Sequence, residues 1–262
     1  MANPDAARTA AQGSDMLIEF NEVVARFGSL HAMGPTTLSV RRGEFLAIVG
    51  PSGCGKSTLL NMVAGTLNPS SGSVLYNGKK VDGPNSDVGY ITQKNYCVPW
   101  RTVEGNVRMP LEFRGMARGE MDERVRFALA QVGLTGFEKA YPKQLSGGML
   151  QRVMIARTLA YGPHVYLMDE PFGSLDAQLR MRMHAKLLDL WQQTGATFVF
   201  VTHDLQEAIT LADRVVVMSR RPGRPKLIVD IDLPRGRDVV DIQADPAFGA
   251  YVKQLWHALD LH

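Results

Sequence analysis

The chain has 262 residues, of which 45% are hydrophobic and 21% charged, an ordinary globular balance with ample material for a core. A formal net charge of +3 is too weak to indicate nucleic-acid binding, which usually shows clustered basic residues in a strongly basic domain. The two cysteines, Cys54 and Cys97, do not indicate a disulfide framework, and a reducing cytosol is the simpler assumption.

Residues 1–15 are predicted to form a disordered tail and not a secretory signal. They contain no apolar segment, and they mix Arg8 with Asp5 and Asp15 among small and polar residues. No apolar run elsewhere in the sequence approaches the ~18 residues that a membrane span needs. We therefore expect a cytosolic chain that reaches a membrane only through a partner.

Strand signals open the folded part of the chain. The run from Phe45 to Val49 is short, apolar and rich in β-formers, which is typical of a buried strand. Asn77 and Gly78 are a turn signal within the short strands predicted in this part of the chain. The predicted elements of this part are strands at residues 16–24, 36–40 and 45–49, a helix at residues 56–64, and short strands within residues 72–81.

From about residue 98 to residue 145 the apolar residues recur at helical spacing. One apolar stripe predicts an amphipathic helix with Gly133 just after its end, and the stripe consists of Met121, Val125, Leu129 and Val132. This part is expected to be a helical insert between two strand-bearing halves.

After Ser146 strands and helices alternate, which predicts a parallel α/β sheet. Asp176 and Asp204 each precede a helix as N-cap residues, and Glu207 stands in capping-box register with Asp204. The predicted strands are at residues 165–168, 198–202 and 214–218. A last apolar stripe is expected to pack on the core or across a dimer, and it consists of Phe248, Val252, Leu255 and Leu259.

A phosphate-binding loop is predicted after the strand at residues 45–49. The segment from Gly50 to Ser57 fits G-x-x-x-x-G-K-S between a strand and a helix, the context that this motif requires, and a chance glycine-rich turn is the alternative. Its glycines let N–H groups face phosphate oxygens, and the helix N-terminus favours an anion. Lys56 is expected to reach the β- and γ-phosphates of a nucleotide, and the Ser57 hydroxyl is expected to bind Mg²⁺. The residues of the predicted loop are Gly50, Pro51, Ser52, Gly53, Cys54, Gly55, Lys56, Ser57 and Thr58.

Two carboxylates, Asp169 and Glu170, follow the apolar strand predicted at residues 165–168. A parallel strand places its C-terminal end beside the phosphate loop at the edge of the sheet. Asp169 is then placed to hold Mg²⁺, and Glu170 is placed to orient the attacking water or to accept its proton. A solvated acidic pair at a strand end is the alternative.

A second predicted anion site begins at Ser146. The sequence Leu145-Ser146-Gly147-Gly148-Met149 resembles the signature motif of ABC ATPases, and it leaves N–H groups free at a helix N-terminus. In that family two subunits stack head to tail, and the signature of each covers the γ-phosphate held by the other. The resemblance implies an ATP-dependent homodimer in which Ser146, Gly147 and Gly148 complete the partner's site. An ordinary serine N-cap is the alternative.

Other motifs that resemble those of ABC ATPases occur in the family's order. Gln93 resembles the Q-loop glutamine, which implies contact with Mg²⁺ and the attacking water and a hinge to the helical insert. Asp176 resembles the D-loop residue that contacts the partner, and His203 resembles the switch histidine at the γ-phosphate. Phe27 stands where the family stacks an aromatic ring on adenine, and a core phenylalanine is the alternative. The resemblance implies ATP and Mg²⁺ as cofactors. The implied catalytic residues are Lys56, Gln93, Glu170 and His203.

The resemblance covers the chain from about Met16 onward and implies a P-loop NTPase of the α/β class. The expected fold is a RecA-like parallel sheet core with an antiparallel β subdomain and an inserted α-helical subdomain. The implied parts are a nucleotide-binding core at residues 16–95, a helical signature subdomain at 96–148, a second part of the ATPase core at 149–235, and a C-terminal tail and helix at 236–262.

The segments Val98-Pro99-Trp100-Arg101-Thr102-Val103 and Asn106-Val107 look like the nitrate, sulfonate and taurine importer branch of the family. That likeness implies a peripheral subunit at the cytoplasmic face of the cell membrane. It also implies an integral membrane permease that contacts residues 93–110, and a substrate-binding protein that acts indirectly. No nucleic-acid partner is expected. An ABC ATPase of an export system, or a non-transport ABC ATPase, is the alternative.

A basic cluster near the C-terminus overlaps Arg221-Pro222-Gly223-Arg224, a tail segment that also looks like the importer branch. Its members are Arg220, Arg221, Arg224 and Lys226. A solvated face is the simplest interpretation, and contact with lipid headgroups or the permease is the alternative.

Overall fold

The computed structural model describes residues 16–94, 96–234, 236 and 238–259, so the tail predicted at residues 1–15 lies outside the described residues. Within those ranges no helix is long and apolar enough to cross a membrane. The strands are, in chain order, β1 (Met16–Phe27), β2 (Leu30–Arg41), β3 (Phe45–Val49), β4 (Ser71–Tyr76), β5 (Lys79–Lys80), β6 (Val88–Ile91), β7 (Val165–Asp169), β8 (Thr197–Val201), β9 (Arg214–Met218) and β10 (Pro225–Asp230). The helices are α1 (Lys56–Val63), α2 (Val103–Phe113), α3 (Arg118–Gln131), α4 (Gly147–Tyr161), α5 (Ala177–Thr194), α6 (Leu205–Leu211) and α7 (Pro246–Leu259).

The central sheet has the strand order β10-β9-β3-β8-β7-β6, and all its neighbours except β9 and β10 pair in parallel. Stacked rings join three adjacent strands of this sheet. The centroid of the Phe198 ring lies 4.9 Å from that of Phe45 and 4.6 Å from that of Tyr166, and Trp191 of α5 meets Phe45 edge-on. The predicted parallel α/β sheet is confirmed.

The central sheet separates two hydrophobic clusters. Alternate residues of β3 point to opposite sides: Ala47 and Val49 belong to the cluster shared with α2 to α5, and Leu46 and Ile48 belong to the cluster shared with the antiparallel sheet. Because both faces are covered, every residue of β3 is buried, and the strand is a continuous apolar run without polar alternation.

Strand β10 was not predicted from the sequence. It pairs antiparallel with β9 at the edge of the central sheet. Its exposed residues, such as Lys226 and Ile228, alternate with more buried ones, such as Leu227 and Val229. An edge strand tolerates a proline at its first residue, here Pro225, because no ladder hydrogen bond is needed there. The proline and charged residues hid this half-buried strand from a search for apolar runs.

The second sheet is antiparallel, with the strand order β2-β1-β4-β5. The predicted turn between β4 and β5 is confirmed, since Asn77 and Gly78 both have positive φ, at 50° and 73°. This sheet packs on α1 and on one face of the central sheet through the shared hydrophobic cluster. It therefore borders the predicted phosphate loop, which precedes α1.

Helices α2 and α3 lie within the predicted helical insert, and they pack against each other and against α4, most of which is assigned to the second part of the ATPase core. Val125 and Leu129 of the predicted stripe are buried, and Gly133 follows α3 with a φ of 63°. The boundaries assigned to the parts of the chain stay predictions.

Asn106 fixes the segment before α2 to the helices of the insert. Its side chain is fully buried and forms five hydrogen bonds, to both backbone groups of Val98, to the carbonyl oxygens of Arg101 and Thr102, and to the guanidinium of Arg157 in α4. A buried amide that satisfies both of its ends in this way holds a loop in one conformation. The segment predicted to contact a permease is thus rigidly attached to the insert.

Candidate active site

The predicted phosphate loop joins the end of β3 to the start of α1. Gly53 and Gly55 have φ values of 76° and 103°, which residues with a side chain rarely adopt. Gly55 is also the N-cap of α1, and no side chain caps that helix. N–H groups at this helix end are therefore available to an anion, and the helix field favours one.

Lys56 lies inside the loop and is only 6% exposed. Its Nζ donates to the carbonyl oxygens of Gly50 at 2.7 Å and Pro51 at 3.0 Å. These bonds offset the cost of burying the ammonium group and fix its position. An ammonium has three N–H donors, so one remains for an anion in the loop.

A cavity of about 310 Å³ lies beside the loop. The β1–β2 hairpin contributes Phe27 to its lining, and the ends of β6 and β7 contribute Gln93 and Glu170. Phe27 is 48% exposed and is therefore not a core residue. The predicted site residues that line the cavity are Phe27, Ser52, Gly53, Gly55, Lys56, Ser57, Thr58, Gln93 and Glu170.

Three members of the predicted loop do not line this cavity. Gly50 and Pro51 line a neighbouring cavity together with His203. Cys54 is fully buried among the hydrophobic residues of the second cluster, and burial raises the pKa of its thiol. Its side chain acts as a spacer beneath the loop.

Three residues predicted to be catalytic meet at one carboxylate oxygen. Oε2 of Glu170 accepts a hydrogen bond from Nε2 of Gln93 at 3.3 Å and lies 3.3 Å from Nδ1 of His203. Glu170 has a left-handed backbone with φ of 48°, a conformation that costs a residue with a side chain about 1–2 kcal/mol. Its N–H donates to the carbonyl of Val201 at 2.9 Å, which ties this strained turn to the end of β8.

Asp169 is the last residue of β7 and is 5% exposed. Burial raises the pKa of its carboxyl group, and the charge of Glu170 adds to that rise. A hydrogen bond from Ser57 and the charge of Lys56 act in the opposite direction. The carboxylate is therefore disfavoured overall, and a cation beside it would relieve the cost of its burial.

A buried network supports the loop that carries His203. The neighbouring Thr202 donates a hydrogen bond to Oε2 of Glu207 and accepts one from the N–H of Asp204 at 3.1 Å. Oε1 of Glu207 lies 2.7 Å from Nε2 of His184 in α5. Thr202, Glu207 and His184 are all less than a tenth exposed. The network thus connects α5 to the loop of His203.

The capping box predicted for α6 is confirmed for the Asp204 side chain and wrong for the Glu207 side chain. Asp204 caps the helix as predicted and accepts from the N–H groups of Gln206 at 2.9 Å and Glu207 at 3.2 Å. The Glu207 carboxylate, however, bonds to Thr202 and His184, and the N–H of Asp204 donates to Thr202 instead. Residue spacing cannot show that a buried partner on another helix competes for the glutamate.

The residues predicted to meet a partner subunit lie near one another. Ser146 caps α4, and Gly148 packs against the carbonyl of Ser174, where an added Cβ would stand 3.2 Å from the oxygen. Asp176, two residues further, caps α5. Among the described residues that line the cavity, none is Ser146, Gly147, Gly148 or Asp176. Within one chain, the signature segment at residues 146–148 thus lies against the loop before α5 and outside the cavity beside the phosphate loop.

Arg221 is a cavity residue that the sequence did not reveal. The basic cluster is predicted on a solvated face or at a lipid or permease contact, but Arg221 lines the cavity, and its Nε donates to the carbonyl of Gly53 at 3.1 Å. The two residues are 168 positions apart, so motif spacing could not have linked them.

Comparisons with known proteins agree with the motifs. A family model described as ABC transporter matches residues 33–173. The nitrate import ATP-binding protein of Synechocystis sp. is 41% identical over 245 residues, which cover 91% of this chain and 92% of that protein. The taurine import ATP-binding protein of Shigella boydii is 40% identical over 236 residues, which cover 88% of this chain and 92% of that protein.

The fold is similarly matched by a solved structure. A dimeric ATP-binding cassette in a post-hydrolysis state bound to ADP and Pi superposes with a TM-score of 0.76 at 30% identity. The match covers 83% of this chain and 100% of that one. The expected P-loop NTPase fold is confirmed.

Removing one member of the buried network tests whether it positions His203. We expect His184→Ala to slow ATP hydrolysis by roughly 10- to 100-fold, the cost of about 1 Å of misplacement. The Kd for ATP should stay within about twofold of the wild type, because the phosphate loop is untouched. Steady-state hydrolysis assays and nucleotide titration measure the two effects. The matched control is His164→Ala at an exposed position. A folded His184→Ala variant with full turnover would contradict the role of the network.

Proposed function

The chain belongs to the ABC transporter family and is an ATPase, and we propose that it powers the uptake of a small solute through a separate permease. The solute in this proposal is nitrate, a sulfonate, taurine or a similar organic anion. The observation that carries the chemistry is the meeting of Gln93, Glu170 and His203 at one carboxylate beside the phosphate-loop cavity. The similarity to two import ATP-binding proteins supports the direction of transport.

One ATP molecule spans the cavity in this proposal. Phe27 and Lys56 line the same cavity, so adenine can stack on the exposed ring while the phosphates reach the ammonium group. The N–H groups of the loop and of the first turn of α1 hold the phosphate oxygens. The hydroxyl groups of Ser52, Ser57 and Thr58 add further hydrogen bonds from the cavity lining.

The residues at the edge of the sheet fit Mg²⁺. Asp169 is a buried carboxylate beside the Ser57 hydroxyl, and hard oxygen ligands of this kind suit Mg²⁺. Gln93 adds an amide oxygen from the lining of the cavity, of which Ser57 is also a member and Asp169 is not. Within the described ranges no three His, Cys, Asp or Glu side chains cluster as a metal site, so the remaining ligands are phosphate oxygens and water. When bound, the ion supplies positive charge that neutralises the phosphates.

The site is completed by a second copy of the chain. Ser146, Gly147 and Gly148 lie at the start of α4 but do not line the cavity of their own chain. We therefore place them over the γ-phosphate that the partner holds, with Asp176 at the same junction. ATP then joins two copies head to tail, and hydrolysis separates them.

Hydrolysis uses the three residues at the Glu170 carboxylate. Glu170 accepts a proton from the attacking water or orients that water, and Gln93 holds the glutamate from the other side. His203 reaches the γ-phosphate from the strand end next to Glu170. Closure of the dimer moves the helical insert through the segment after Gln93, and residues 93–110 transmit that motion to the permease. The chain thus works peripherally at the cytoplasmic face of the membrane, and a substrate-binding protein delivers the solute.

The buried Asp169 carboxylate should make the stability of the protein depend on pH. A raised pKa means that the folded protein binds this proton more tightly than the unfolded chain does. Asp169 therefore contributes fully to stability at a pH below the ordinary pKa of an aspartate. That contribution is lost as the pH rises through the raised pKa of the folded protein. The asparagine in Asp169→Asn does not ionise, so the variant keeps its stability as the pH rises. Its Tm in the nucleotide-free state at neutral pH should be about 2–4 °C above that of the wild type.

The same variant should lose Mg²⁺-dependent hydrolysis and the stabilisation that Mg²⁺ gives to the ATP complex. Thermal unfolding at pH 5 and pH 8, with and without Mg-ATP, measures both effects. Asp82→Asn, at an exposed position, is the matched control and should behave as the wild type. Equal stabilisation of Asp169→Asn and the wild type by Mg²⁺ would place the metal elsewhere.

Removing the Glu170 carboxylate should separate ATP binding from ATP hydrolysis. Glu170→Gln should bind ATP but should not hydrolyse it, because the amide cannot accept the proton of the attacking water. The variant should therefore accumulate as a dimer in Mg-ATP and return to a monomer when the nucleotide is removed, as seen by size-exclusion chromatography. Glu123→Gln on the exposed side of α3 is the control. Full turnover by Glu170→Gln would remove Glu170 from the mechanism.

Co-purification tests the proposed role in transport. The tagged chain should recover a multi-span permease from gently solubilised membranes of its native cell. Trp100 lies in the proposed contact region and is 78% exposed, so Trp100→Ala should reduce the recovered permease several-fold. Trp256 is 56% exposed on α7, and Trp256→Ala should leave recovery unchanged.

The ligand of the binding protein that accompanies the permease would identify the solute. Recovery of a permease that exports its substrate would establish the export alternative. Recovery of ribosomes or DNA without a permease would leave the ATPase in place and refute the transport role.

A further inference from the structure

The loop between β9 and β10, residues 219–224, is fastened to two parts of the molecule at once. The N–H of Gly223 donates to the carbonyl of Ala32 at 3.2 Å, and its carbonyl accepts from the N–H of Gly34 at 3.0 Å. Gly223 also lies directly on the phosphate loop, because an added Cβ would stand 1.7 Å from the carbonyl oxygen of Cys54. The loop is thus wedged between β2 and the phosphate loop.

Arg221 occupies this wedged loop and reaches the cavity. Its Nε is held by the carbonyl of Gly53, and an added Cβ on Gly53 would stand 2.5 Å from the terminal Nη2. Neither terminal nitrogen has a hydrogen-bond partner among the described residues. A guanidinium anchored through Nε presents its remaining N–H groups as a planar fork, the geometry that suits phosphate oxygens.

The charges around the cavity favour an anion beside Arg221. The lining contains two cationic side chains, Lys56 and Arg221, and one acidic side chain, Glu170. Glu170 already lies within 3.3 Å of both Gln93 and His203. The arginine is therefore available to a ligand that brings its own negative charge.

We propose that Arg221 binds the phosphate chain of the nucleotide at its ribose end, through an oxygen that ADP and ATP share. Arg221 comes from a loop bonded to β2, the strand paired with the one that ends at Phe27. The γ-phosphate end is assigned to Gln93, Glu170 and His203, which follow β6, β7 and β8 on the other side of β3 from β9. This inference rests on the proposed placement of ATP in the cavity.

The test is the affinity of the full-length chain for ADP and for the non-hydrolysable ATP analogue AMP-PNP, measured by titration calorimetry. Arg221→Ala should weaken both affinities by about tenfold, the effect of losing one charge-assisted hydrogen bond. The affinity for ADP should also depend less steeply on salt, because one charged contact is lost. Arg220→Ala removes the same charge from the adjacent exposed position and should bind both nucleotides as the wild type does.

A purely structural role of Arg221 predicts a different result. In that case Arg221→Ala lowers the Tm of the nucleotide-free protein and leaves the salt dependence of ADP binding unchanged. That pair of results overturns the proposal. If the Tm falls and the salt dependence falls too, Arg221→Lys decides. Recovery of ADP affinity to within about threefold of the wild type supports a charge contact, and affinity as weak as that of Arg221→Ala refutes it.

Two further outcomes separate this proposal from the proposed function. Weakened binding of AMP-PNP alone would move Arg221 to the γ-phosphate and refute its assignment to the ribose end. If Arg221→Ala binds both nucleotides with wild-type affinity and Lys56→Ala has lost binding, the Arg221 contact is refuted and the placement of ATP stands. A wild-type chain that binds neither nucleotide would instead refute the placement of ATP.

Discussion

The candidate site depends on the fact that parallel strands end at the same edge of a sheet. Strands β3, β8, β7 and β6 are neighbours in that order, and neighbouring strands lie about 4.8 Å apart. The phosphate loop, His203, Glu170 and Gln93 each follow one of these strands within a few residues. Side chains far apart in the sequence are thereby brought within hydrogen-bond reach.

The same edge concentrates features that disfavour folding by themselves. Lys56 and Asp169 are charged groups with little exposure, and Glu170 has a left-handed backbone. Each is held by its surroundings: carbonyl oxygens around Lys56, the Ser57 hydroxyl at Asp169, and the carbonyl of Val201 at Glu170. The apolar strands behind the edge stabilise the fold enough to tolerate this arrangement.

The cavity also requires that the two sheets keep a fixed relation, because Phe27 belongs to one and Lys56 follows the other. A buried ion pair contributes to that relation: Nε of Arg214 in β9 lies 2.7 Å from Oε1 of Glu44, and Arg214 also donates to the carbonyl of Ser39 in β2. The loop at residues 219–224 makes a second connection between the same strands. The Phe27 side and the phosphate-loop side of the cavity are thus held together from one face of the central sheet.

The features of this protein that depend on neighbours in the chain could be predicted from the sequence. The phosphate loop, the Asp176 and Asp204 caps, the Asn77–Gly78 turn and the buried strands follow from local spacing and turn chemistry, and family motifs placed the candidate residues at strand ends. Tertiary structure alone decided that Glu207 bonds to His184, that β10 covers the sheet edge and that Arg221 reaches the phosphate loop. These features depend on contacts between distant segments, where burial and competition among partners choose the bond. Residue spacing carries no information about that choice.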